Sequence, residues 1–162
     1  MPTFAIPGNC DPKQMLEVLD KYGVNLHAKR EKLNDVLFVG LGGSNLTPFN
    51  TPFELTEAEI LEELEALAPT ADENWILVTH APPHGTNIDQ TAQGIHVGSK
   101  SIRRFIEQKQ PPVALSGHVH EARNTDKLGR TLIVNPGPIS KGYAAEITIN
   151  KGGEVRAELL EL

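Results

Sequence analysis

Two stretches constrain this chain more than any other feature: WILVTH at 75–80 and PVALSGHVH at 112–120, each a short apolar run that ends on histidine. An unbroken apolar run of this length reads as a strand buried on both faces. A polar residue at the end of such a strand sits on a rigid element at the rim of a sheet, where several strand ends can converge on one point. A third stretch has the same form, since PTFAIPGN at 2–9 reads as a short strand that gives way to Asn9, Cys10 and Asp11.

The elements between these strands set the fold class. Asp11 followed by Pro12 predicts a helix start, with Met15, Leu16, Leu19 and Tyr22 at helical spacing and Gly23 as the stop. VNLHAKREKLNDVLFVGLGG reads as strands around a polar turn, and SNLTPFNTPFE as loop. Thr56 with Glu59 forms a capping box ahead of Ile60, Leu61, Leu64 and Leu67. A third helix is marked by Ile102, Phe105 and Ile106, and TLIVNPG, YAAEITIN and EVRAELLEL predict three closing strands. Strands and helices alternate first and strands dominate later, which predicts an α/β chain of mixed or paired sheets flanked by helices. At 162 residues the expectation is one domain spanning 1–162.

Charge narrows the function. A net charge of -6 with no run of basic residues disfavours an electrostatic grip on nucleic acid or anionic lipid, so a phosphate ligand would need positive charge from elsewhere. No long apolar stretch predicts a membrane span, and a single cysteine suits a reducing compartment, so the expected location is cytoplasmic.

A metal supplies the missing charge. Imidazoles with an amide oxygen suit a borderline or oxygen-loving divalent ion in a hydrolytic role, and the lack of clustered thiols argues against a structural zinc site. Asn9, His80, His118 and His120 are the candidate ligands, with Gly117 giving the backbone room beside them. Taken singly, Asn9 also reads as a turn residue, Asp11 as a helix cap and a lone histidine as a satisfied polar group. GLGGSN reads as a turn, because no Gly-Lys-Ser or Gly-Lys-Thr follows to make a phosphate loop. The long segment 81–98 reads as a functional or mobile loop, in or near which His84, Asn87, His96 and Ser99 each read first as a solvent-exposed loop residue and second as one placed to meet a substrate.

PGNCD, VTHAPP and SGHVH, in this order and spacing, resemble the last three motifs of the calcineurin-like metallophosphoesterases. FVGLGGSNLTPFNTPFE and HVGSKSIRRFIEQKQPPVALSGHVHEA resemble more narrowly the prokaryotic Icc-related phosphoesterases, especially archaeal ones. The resemblance implies a four-layer sandwich, helices outside two facing mixed sheets, with two divalent ions at the rim, Mn first and Fe, Zn, Ni or Co as alternatives. It implies that Asn9, His80 and His118 bind one ion and His120 the other. It places Cys10 where many members carry a leaving-group histidine, with Asp11 steadying that loop. The implied activity is hydrolysis of a phosphodiester or phosphomonoester by water activated between two metals. The family's opening Asp-x-His and Gly-Asp motifs do not occur in these residues. The expectation is therefore the C-terminal portion of the family domain, with impaired activity and an exposed strand edge that would favour a homo-oligomer. A non-catalytic binding scaffold of the same fold is the alternative.

Overall fold

The computed structural model describes residues 1–70, 74–150 and 154–162. In chain order the elements are α1 (Met15–Lys21), β1 (Lys29–Leu33), β2 (Val36–Leu41), β3 (Ser44–Asn45), β4 (Glu54–Leu55), α2 (Glu57–Leu67) and β5 (Trp75–Thr79). There follow α3 (Lys100–Lys109), β6 (Val113–Leu115), β7 (Asn124–Leu128), β8 (Thr131–Asn135), a 3-10 turn at Ile139–Lys141, β9 (Tyr143–Ile149) and β10 (Val155–Glu161).

A six-stranded mixed sheet organises the molecule, in the order β1-β2-β5-β6-β8-β7. Its four central strands β2, β5, β6 and β8 run parallel, and β1 and β7 flank them antiparallel. The parallel centre explains the unbroken apolar runs, because both faces of β5 and β6 meet protein. On one face Leu37, Val39, Leu77, Ala114 and Ile133 pack against Ile60 and Leu64 of α2 and Ile102, Phe105 and Ile106 of α3, forming the main core. The other face is opposed by the antiparallel hairpin β9-β10 and leaves Phe38, Val78 and Leu115 half-buried. The predicted mixed α/β architecture is thus present, with β9-β10 as the sheet opposite the larger one among the described residues.

Local sequence explains most boundaries and misses some. The Thr56 and Glu59 capping box forms as predicted, each side chain bonding the other's backbone N–H. Asp11 does not cap α1, correcting that expectation: the cap position is Gln14, and Asp11 Oδ2 accepts from Gly8 N at 2.7 Å, closing the turn that carries Asn9. The predicted first strand is reduced to one bridge, Ala5 to Asn25. PVALSGHVH holds strand only through Leu115, and β7 arises in a segment with no apolar run.

Candidate metal centre

Parallel strands deliver their C-terminal ends to one rim of the sheet, and three side chains meet there. β5 ends at Thr79 and places His80, β6 leads through Ser116 and Gly117 to His118, and the Gly8-Asp11 turn brings in Asn9. Asn9 Oδ1 lies 3.0 Å from His80 Nε2 and 3.1 Å from His118 Nδ1, and the two ring nitrogens are 3.2 Å apart. Residues 71 and 109 positions apart in sequence thus form a near-equilateral triangle of donor atoms.

Hydrogen bonds alone satisfy this triangle poorly. The amide oxygen carries no proton, and only one proton fits between two ring nitrogens at that separation. A cation held at bonds of about 2.0–2.2 Å would set adjacent ligands about 3.0–3.5 Å apart, between octahedral and tetrahedral angles. The observed edges fall within that range. Burial, with repulsion from His118, pushes the His80 pKa down to about 4, and burial followed by repulsion from His120 lowers that of His118. Neutral imidazoles offer the lone pairs that a metal needs. Among the described residues no group of three His, Cys, Asp or Glu side chains gathers, so the amide of Asn9 is what completes the candidate ligand set.

Neighbouring residues fix each donor. Asn9 Nδ2 donates to Thr51 Oγ1 at 3.0 Å, which turns Oδ1 toward the histidines. Thr51 Oγ1 in turn donates to Glu54 Oε1 at 2.6 Å, and Thr51 N does so at 2.8 Å. Bonds from the Thr47 hydroxyl, then from Thr51, hold the Glu54 carboxyl down to about 2, so it is a constant acceptor. His80 packs on Gly8, where a Cβ would fall 2.9 Å from the ring. A Cβ at Gly117 would meet no protein atom within 4 Å. His118 adopts φ +66°, a left-handed conformation rarely taken by residues with a Cβ. Buried Asn135 Nδ2 braces that turn, bonding the carbonyls of Gly117, Val119 and Ile88. Such strain, held in place by its surroundings, is common where a side chain must be aimed.

The remaining predicted site residues fall at different distances from this centre. His120 is exposed on the same turn, and its charge acts on both His80 and His118. Cys10 is exposed. His84 and His96 line a cleft of about 500 Å³ that also includes Asn9 and His118. Asn87 is exposed, does not line that cleft, and bonds Asp126 through its backbone N–H. Ser99 is buried and caps α3 at Ile102 N rather than facing a substrate. A larger depression of about 770 Å³, lined by Trp75, Gln110, Pro112 and Arg130, opens at the other end of the parallel strands and shares no residue with this centre.

Thr51, Glu54 and Asn135 were not legible as site residues. TPFE carries ordinary turn composition, and no local pattern announces a bond that spans 42 positions.

The comparisons with known proteins bear on family and fold. Residues 1–158 match the family model described as metallophosphoesterase, calcineurin superfamily. An uncharacterized protein of Methanocaldococcus jannaschii, MJ1162, is 44% identical over 144 residues, covering 86% of this chain and 66% of its own. The UPF0046 protein K07C11.7 of Caenorhabditis elegans is 32% identical over 117 residues, covering 72% of this chain and 38% of its own. The chain therefore spans two thirds or less of the length of these relatives. In fold it resembles one solved structure at TM-score 0.78 and 22% identity, covering 98% of this chain and 65% of that one. The crystal structure of TT1561 of Thermus thermophilus superposes at TM-score 0.66 and 19% identity, covering 98% of this chain and 72% of that one. With the family model spanning nearly every residue and the donor triangle at the rim of its mixed sheet, this chain belongs to the calcineurin superfamily of metallophosphoesterases.

Proposed function

We propose that this chain carries the metal-binding rim of a phosphoester hydrolase, acting on a phosphodiester or phosphomonoester. The observation that supports this most is the triangle of Asn9 Oδ1, His80 Nε2 and His118 Nδ1, three lone-pair donors within 3.2 Å of one another. In this reading Asn9, His80 and His118 hold one divalent ion, Mn first among those such donors suit, and His120 belongs to a second. A divalent metal held by Asn9, His80 and His118 would supply positive charge for the phosphoryl oxygens and lower the pKa of water so that hydroxide is available near neutral pH. That charge also explains how a chain of net charge -6 would hold an anion.

The protein's own part is orientation. Glu54 and Thr51 keep the Asn9 amide from turning over, which would present its NH2 to the ion. Asp11 closes the Gly8 turn, so Cys10 is displayed beside Asn9 and in reach of solvent. A thiol placed there can contact a leaving group but is a weaker proton donor than the histidinium of the family's common form. Hydrolysis by the chain alone is therefore expected to be slow.

The test is hydrolysis of bis-p-nitrophenyl phosphate by metal-stripped protein before and after Mn is restored. We expect slow turnover that requires Mn and disappears in His118→Ala. Turnover that survives chelation, or that His118→Ala leaves intact, would remove the proposal. A second reading, a binding scaffold or homo-oligomer, draws support from half-buried Phe38, Val78 and Leu115 on the sheet face opposite the helices. A scaffold would keep its partner in His118→Ala, whereas a hydrolase would lose metal and rate together.

A further inference from the structure

The cleft beside the donor triangle is larger than a phosphoryl group requires. Its volume of about 500 Å³ is in the range of sites that enclose a whole small molecule. Its floor contains Asn9 and His118, and its two walls are the segments 45–49 and 84–100. Asn45 Nδ2 ties the walls together by donating to Val97 O at 3.2 Å.

The first wall is apolar and held rigidly. Leu46 is 63% exposed and Phe49 79%. Single exposed apolar residues are ordinary, but here two large ones on one loop line the same cleft. The loop is not simply loose: Thr47 Oγ1 donates to Glu54 at 2.5 Å and accepts from Phe49 N at 3.2 Å. The same carboxylate that orients Asn9 through Thr51 thus also positions the loop bearing Phe49.

The second wall presents a fixed imidazole. Asp89 has a fully buried side chain that accepts from the backbone N–H groups of Gly85, Thr86 and Gly98. His96 Nδ1 bonds Asp89 Oδ1 at 2.7 Å, so that nitrogen carries the proton and Nε2 is the atom left for a ligand. His84 stands beside it, ring centroids 5.9 Å apart, and its carbonyl is held by Arg103 at 2.9 Å.

Charge on these walls disfavours a second anionic group. Lys100 is balanced by Glu57 and Glu121 around the same cleft. The N-terminus of α3 is already filled, because the Glu57 carboxylate accepts from Ser99 Oγ, Lys100 N and Ser101 N. An apolar wall facing a hydrogen-bonding imidazole suits a flat, uncharged ring rather than a polyphosphate or a nucleic acid strand.

We propose that this cleft binds the leaving group of the ester, and that this group is a neutral aromatic or heteroaromatic alcohol laid against Leu46 and Phe49 within reach of His96 Nε2. The proposal rests on the hydrolase reading above and adds to it the substrate class.

Calorimetry with two inert probes on the Mn-loaded protein separates the two ideas. Phenylphosphonate should bind about tenfold or more tightly than methylphosphonate, as expected for burying one face of a ring. The double substitution L46A/F49A should erase that preference, and both residues are exposed enough to be replaced without disturbing the core. The His96 ring 15N resonances should move with the phenyl probe and stay fixed with the methyl probe. Equal affinity for both probes would overturn the proposal and leave the hydrolase reading standing. A preference that survives L46A/F49A would overturn it too, and binding of neither probe would remove both readings.

Discussion

Two pairs of histidines in this molecule each face an oxygen acceptor, and the two arrangements meet opposite needs. His80 and His118 surround the neutral amide of Asn9, with three donor atoms pointed inward and no proton supply sufficient to join them. His84 and His96 stand by Asp89, whose carboxylate already accepts three backbone N–H groups and the His96 ring. The first cluster is completed only by something positive at its centre. The second is complete without a ligand, and serves to hold a long loop in shape and to aim one nitrogen outward. Similar residue types thus diverge because one acceptor is neutral and unfilled while the other is charged and saturated.

Substitutions at the two clusters should part most widely in metal affinity. His80→Ala or His118→Ala should weaken Mn binding by about 100-fold or more, beyond the effect usual for residues that only support a ligand. Asp89→Asn should leave that affinity within about twofold by calorimetry. Loss of affinity in Asp89→Asn as large as in His118→Ala would break the contrast.

Stability should show the reverse order. Asp89→Asn replaces a buried acceptor of three backbone N–H groups with an amide that can accept at one atom only, at a cost of about 2–4 kcal/mol in urea unfolding. In the metal-free protein His118→Ala should cost about 1 kcal/mol or less, since its ring nitrogen faces unsatisfied neighbours. A smaller effect sharpens the picture of the first cluster. Thr51→Val should weaken Mn binding about tenfold by freeing the Asn9 amide to turn, and Thr51→Ser should restore most of it.

Acid should reach the two clusters in sequence. The His80 pKa is about 4 in the fold against 6.5 when unperturbed, so between these values the unfolded chain binds the extra proton. Stability of metal-free protein should then fall as pH drops from 6.5 toward 4, by about 3 kcal/mol. For Asp89 and Glu57 burial raises the pKa, but their hydrogen bonds outweigh it and leave both below the ordinary 3.8 and 4.5. Their contribution is present above those values and is lost as pH falls below them. Urea midpoints measured across pH should show the histidine phase first, reduced in His80→Ala to what His118 and His27 leave, and the carboxylate phase later.

What the sequence revealed follows the range of the interactions involved. The Thr56 capping box and the buried strand ending at His80 depend on neighbours within a few positions and were readable. Asp11 misled because a carboxylate before proline has two local uses, and here its bond to Gly8 N displaced the cap. The left-handed turn at His118 and the Asn135 bonds that brace it come from residues 16 to 47 positions apart, so no short window displays them. Strand β7 escaped notice because NTDKL lies at the sheet edge, pairs with one neighbour and needs no apolar run. His80 and His118 could be named from strand ends, while their meeting at Asn9 required the parallel sheet.

The central claim is that three lone pairs at the sheet rim are arranged for a cation. Calorimetric titration of Mn into metal-stripped protein, with His118→Ala and Asp89→Asn in parallel, tests it most directly. The account predicts saturable binding of at least one ion per chain, abolished by His118→Ala and kept by Asp89→Asn. Absence of binding to the unsubstituted chain, or binding that His118→Ala leaves unchanged, would contradict it.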